Sequence, residues 1–104
     1  GIGLSWGFPE GANIIQRTEL WYSQTNNLAQ AIKLGDFSYP QSTHTMMGLA
    51  AGAAFFFWAR LVDKNGLAGP WYPTVSGVQG KASSDASLIN EIEEYISEQS
   101  GSNH

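Results

Sequence analysis

Apolar and polar positions alternate from the first residues of the chain. Ile2, Leu4 and Trp6 fall on one side and Gly3 and Ser5 on the other, the period-two pattern of a strand with one buried face. Residues 7–13, with Pro9 and Gly11, read as a loop. Residues 14–23 form a second predicted strand, with Thr18, Leu20 and Tyr22 on one face and Arg17, Glu19 and Trp21 on the other. Residues 24–27 break it, and residues 28–34 read as a short helical turn followed by a short strand. A loop over 35–41, a strand over 42–47 and a small-residue corner over 48–54 follow.

The strongest strand pattern spans 55–62. Phe55, Phe57, Ala59 and Leu61 share one face; Phe56, Trp58, Arg60 and Val62 share the other. The uncharged run from Met46 to Ala59 has the look of a membrane segment, but a spanning helix needs about 20 apolar residues, and a run of about 14 is core material. Asn65 and Gly66 then make a hairpin turn, since both tolerate positive φ. Residues 71–78 are the expected hairpin partner, at an edge or bulged because Pro73 has no N–H for the ladder. This excludes membrane insertion for the segment and predicts an antiparallel sheet.

Past Gly80 the period changes. Ser84 or Asp85 can cap a helix over about 86–98, on which Leu88, Ile89, Ile92, Tyr95 and Ile96 form one apolar stripe. A helix of about 13 residues is marginal alone in water, so this stripe is a candidate docking face. The expected organisation is a sandwich over 1–80, then an acidic amphipathic connector over 81–104 with a disordered end.

Charge sharpens that division. Through residue 80, Arg17, Lys33, Arg60 and Lys64 balance Glu10, Glu19, Asp36 and Asp63; the remainder sets Lys81 against Asp85, Glu91, Glu93, Glu94 and Glu98 and supplies the whole net charge of −4. Four scattered bases make no basic stripe, which argues against nucleic acid. The acidic residues read as a solvated helix face. The 104 residues contain no cysteine, which suits a protein made in a cytosol, and no basic-then-apolar leader opens the sequence.

No catalytic constellation is apparent. His44 is the single histidine within the predicted sandwich, and nothing places it with a serine and a carboxylate in a triad. No His-x-His, Glu-x-x-His or cysteine pair suggests a metal. Gly48 and Gly52 lack the strand–turn–helix context of a phosphate loop. The glutamates at 91, 93 and 94 neighbour one another on a helix and are not held across a cleft. The expectation is no enzyme, no cofactor and no metal, with a structural or surface role for His44.

Several spacings together resemble a known family. Leu4-Ser5-Trp6, and Leu49 followed six residues later by Phe55, are similar to the fibronectin type III pattern of a buried tryptophan on strand B and an aromatic at the E–F corner. Thr18-Glu19-Leu20-Trp21 with Ser23, then Phe57-Trp58-Ala59-Arg60-Leu61-Val62-Asp63, Asn65-Gly66 and Gly69-Pro70-Trp71, more narrowly resemble the fibronectin-like domains of lambda-type phage tail-tip, or host-specificity, proteins. The likeness covers most of 2–98. It implies an all-β, immunoglobulin-like sandwich followed by a C-terminal α-helix. Phe55 stands where that pattern usually has tyrosine, so the corner hydroxyl bond is absent. The tryptophan strand also begins almost at residue 1, which predicts a sandwich lacking most of strand A and exposing an edge of strand B.

The resemblance implies a non-enzymatic structural and interaction module of a phage or prophage tail tip, assembled in the bacterial cytoplasm. Its implied partners are other tail-tip domains or subunits in a trimeric whole and, through the parent protein, a host-surface receptor. In such a sandwich Trp21, Phe56 and Trp58 lie on outward faces of two neighbouring strands, flanked by Glu19 and by Arg60 in cation–π reach. Trp21, Phe56, Trp58 and Arg60 are therefore a candidate interaction patch. Two alternatives stay open: a partner covers it, or the C-terminal helix or Trp71 does. A sugar-stacking use of the same strip lacks the Asn, Asp or Gln fringe that would orient hydroxyls. The other class of function is a carbohydrate-binding or spacer module of a bacterial secreted enzyme.

Overall fold

In the computed structural model, residues 1–9, 14–82 and the backbone of 86–87 are described. Among them seven strands form two sheets: β1 (Ile2–Ser5), β2 (Ile15–Ser23), β3 (Ile32–Ser38), β4 (Thr43–Met46), β5 (Ala54–Asp63), β6 (Val78–Lys81) and β7 (Ala86–Ser87). A single 3-10 turn, Leu28–Gln30, separates β2 from β3, capped by the Asn27 side chain on Ala29 N. The smaller sheet has the order β4-β1-β7 and the larger β3-β2-β5-β6.

The alternation of the sequence accounts for the packing between them. Ile2, Leu4 and Trp6 bury one face of the smaller sheet against Leu20, Phe55, Phe57, Ala59 and Leu61 of the larger, with Tyr72 closing the cluster. Each residue set has period two along its strand, so a one-residue slip would turn all of it to solvent. Trp6 packs on Phe37 with ring centroids 5.5 Å apart, and Tyr22 meets Phe55 edge-on at 5.5 Å. Apolar packing therefore fills the corner position of Phe55.

Four expectations are corrected. β1 is not an edge, because Ala86 and Ser87 pair with Leu4 and Ser5 in parallel while β4 pairs antiparallel on the other side. Those two residues are thus extended where a helix was expected to begin; Leu88, Ile89, Ile92, Tyr95, Ile96 and the 88–104 end lie outside the described residues. Residues 35–38 continue β3 instead of looping, since the bare Cα of Gly35 lets Phe37 fold back: a Cβ there would stand 3.1 Å from Phe37 Cζ. The partner of β5 is also not a continuous strand over 71–78. After the turn it touches β5 through isolated bridges, Ala68 to Val62 and Tyr72 to Ala59, and pairs fully only from Val78.

The turn itself follows its chemistry. Gly66 has φ +86°, and Asp63 Oδ1 accepts hydrogen bonds from the N–H groups of Asn65 and Leu67 at 2.9 and 3.0 Å. A carboxylate that ties down two turn amides sets where β5 ends.

Candidate functional site

The outer face of the larger sheet is organised around one buried carboxylate. Register places Glu19 on β2 opposite Arg60 on β5 and Asp36 on β3. Glu19 is only 4% exposed, and its Oε1 accepts from Trp21 Nε1 and from Arg60 Nε, both at 2.9 Å. Lys33 Nζ and Arg17 stand 4.0 and 3.9 Å from Oε2, and both also reach Asp36 Oδ1, at 3.0 and 3.3 Å. Burial alone would push the Glu19 carboxyl upward. The hydrogen bonds from Trp21 and Arg60 and the charges of Arg60 and Lys33 more than reverse that, so its pKa lies below the usual glutamate value.

The cation of that pair is held between aromatic rings. The Arg60 guanidinium lies 4.6 Å from the Trp71 centroid and 5.8 Å from that of Trp21, and the two indoles meet edge to face at 5.5 Å and 87°. Trp71 arrives there because Tyr72 bridges Ala59 in both directions, with hydrogen bonds of 2.9 and 2.8 Å. The outcome is a half-buried stack of Trp71, Arg60 and Trp21 resting on Glu19.

The expected four-residue patch is therefore divided. Trp21, Phe56 and Arg60 are half-buried, but Trp58 is fully buried, which corrects its placement on an exposed strip. Residues 73–77 arch over it: Trp58 Nε1 donates to the Val75 carbonyl at 3.1 Å, and Gly77 sits so close that a Cβ there would be 2.9 Å from the indole. Gly77 N in turn donates to Asn26 Oδ1 at 2.8 Å. The cover of Trp58 is this segment of the same chain, which was not among the alternatives the sequence left open. His44 packs its ring on Phe37 at 4.7 Å, a structural position.

A second feature is not signalled by any motif. At the end of the sandwich where β4 finishes and β5 begins, a cleft of about 550 Å³ opens between the sheets, lined by Tyr22, Ser23, Gln24, Thr25, Gln30, Ile32, Met46, Leu49 and Phe55. In the sequence its rim is only a run of polar residues that ends a strand. Among the described residues no cluster of three or more histidines or carboxylates could hold a metal, and no helix is long and apolar enough to cross a membrane.

Two sheets packed on one core define the class as an all-β sandwich. The chain is 31% identical over 97 residues to the "Tip attachment protein J" of Escherichia phage SECphi27; the match takes in 92% of this chain and 8% of that protein. The sandwich also superposes on part of the pectate lyase Pel3 of Pectobacterium carotovorum. One crystal form gives a TM-score of 0.55 at 16% identity over 83% of this chain and 26% of that one; another gives 0.52 at 11% over 79% and 26%. At such identities the likeness is one of fold. No protein-family model matches the chain.

Proposed function

We propose that this chain is a non-enzymatic structural and interaction module of a phage or prophage tail-tip protein, of fibronectin type III type. One observation carries the reading: the 31% identity to a phage tip attachment protein runs through 92% of the chain. The matched stretch includes the residues that build the Glu19–Arg60 face. That face supports a mechanical role. Its charges and rings engage one another across three strands and a connecting segment, which braces the outer sheet.

In this reading the module spaces or docks neighbouring parts of a trimeric tip assembled in the host cytoplasm, and it serves attachment to the cell surface through the parent protein. Of the expected patch, Trp21, Arg60 and Phe56 are the members a neighbour can reach, Trp21 and Arg60 stacked with Trp71 and Phe56 on the far side of the arch over Trp58. Leu88, Ile89, Ile92, Tyr95 and Ile96 are proposed as a second docking stripe. The pectate lyase likeness is one of fold and favours no secreted-enzyme role.

Gold-labelled antibody raised against the chain, applied to virions from a strain that encodes it, tests the proposal. Label confined to the distal end of the tail is the expected result. Particles without label, with the polypeptide recovered instead in the culture supernatant, would overturn it.

A further inference from the structure

From the cleft at the β4–β5 end we infer a binding site for a neutral saccharide, taken up with one sugar ring against the apolar floor. Its size lies within the range of about 300–1,000 Å³ typical of small-ligand sites. Two properties of its lining select the ligand. Met46, Leu49, Phe55 and Tyr22 make an apolar floor, and the edge-on Tyr22–Phe55 pair fixes both rings. Ser23, Gln24, Thr25 and Gln30 make a rim of hydroxyls and carboxamides. None of the nine described residues that line it carries a charge, so nothing among them compensates an ionic ligand for lost water.

The rim is ordered before any ligand arrives. Ser23 Oγ accepts from Thr25 N at 3.1 Å and lies 3.2 Å from Thr25 Oγ1. Thr25 Oγ1 in turn donates to Gln30 Oε1, and the Leu28–Gln30 turn is held by Asn27. Thr25 occupies the Gln30 carbonyl, and Gln30 Nε2 has no hydrogen-bond partner among the described residues, so its two donors face a ligand oxygen. The exposed amide of Gln24 adds a donor and an acceptor beside it. A pyranose has one carbon-lined face and a rim of hydroxyls, which matches this arrangement of floor and fringe. The tryptophan strip over Trp21 and Trp58 lacks such a fringe, and Trp58 is buried. Gln24 and Gln30 supply one here, with the Ser23 and Thr25 hydroxyls committed to holding it in place. Preorganised donors lower the ordering cost of binding, although an open cleft of this depth holds a sugar only weakly.

The test titrates the isotopically labelled 104-residue protein with maltotriose and with N,N′-diacetylchitobiose to about 20 mM, a concentration suited to millimolar affinity. Amide shifts are followed by NMR, with trigalacturonate and hexane-1,6-diol as comparison probes. The expected result is saturable shifts from a neutral sugar, centred on residues 22–30, 46–49 and 55. Gln30→Ala, an exposed position outside the core, weakens that binding about five-fold by removing one hydrogen-bonding group. Absence of shifts with both sugars overturns the inference, as do shifts centred elsewhere or binding indifferent to Gln30→Ala. Tighter binding of trigalacturonate at the cleft overturns the neutral class, and equal binding of hexanediol reduces the cleft to an apolar groove. The inference rests on the cleft and not on the tail-tip reading, so labelled virions with no sugar binding would remove this site alone.

Discussion

Arg60 Nε and Glu19 Oε1 face each other at 2.9 Å across β5 and β2, joining a half-buried guanidinium to a carboxylate that is 4% exposed. Glu19 has little water to fall back on, so removing Arg60 leaves a charge stranded. Stranding a fully buried ion costs about 3–5 kcal/mol. Here Arg17 and Lys33 stay nearby and Arg60 is partly solvated, so Arg60→Leu is expected to lose about 2 kcal/mol. Urea denaturation followed by circular dichroism measures it. Arg60→Lys should recover only part of the loss, because an ammonium cannot both stack between two indoles and point a planar donor at Glu19.

The same carboxylate sets an acid limb of stability. Its folded pKa is lowered relative to the unfolded chain, so its contribution is fully present above the unfolded value and fades as pH falls through the folded one. Between pH 7 and about 4.3, the ordinary glutamate value, this group should contribute no large pH dependence; below that the loss sets in. Glu19→Gln should start less stable at neutral pH and show a shallower decline below about pH 4. Parallel acid-limb curves for the two proteins would remove Glu19 as the source.

Gly77 is needed for the arch that seals Trp58. A Cβ there would lie 2.9 Å from two carbons of the indole and 3.0 Å from Phe56 Cβ, and the larger of these neighbours is fully buried. Neither ring nor strand can move away freely. Gly77→Ala should cost about 1–3 kcal/mol, the usual range for overpacking. It should also lift the arch, weaken the Trp58 Nε1–Val75 hydrogen bond and shift tryptophan emission to the red. An unchanged emission maximum and midpoint would show that the arch adapts without cost.

How much of this was legible in the sequence depends on what kind of information each feature requires. β1, β2 and β5 follow from alternation, and Glu19, Trp21 and Arg60 were read as neighbours because the likeness put their strands side by side. Trp58 was misplaced because alternation tells which residues share a face, not whether another segment lies over it. The path of residues 73–77 depends on Asn26, far away in sequence, and on the absence of a side chain at Gly77. The parallel pairing of Ala86 with Leu4 was hidden for a similar reason, since two residues carry no period. The cleft was invisible because its floor and rim come from three separate stretches of chain, none of them a motif.

Thr18 offers a test that removes a polar group. Its side chain is fully buried on the core face of β2, and its Oγ1 has no hydrogen-bond partner among the described residues. A buried hydroxyl without a partner costs about 1–3 kcal/mol in lost hydration. Valine has nearly the same shape and branches at the same carbon, so it keeps the χ1 preference and the strand propensity while replacing the hydroxyl with a methyl. The cost in the native state is then removed with little change in packing. Thr18→Val should therefore raise stability by about 1 kcal/mol, read as a higher urea midpoint at constant slope. Thr18→Ala should lower it, because the cavity left beside Phe37, its partner across β3, outweighs the relief. Destabilisation by valine would mean that the hydroxyl is satisfied in solution, and the core of β2 would then have to admit a bound water.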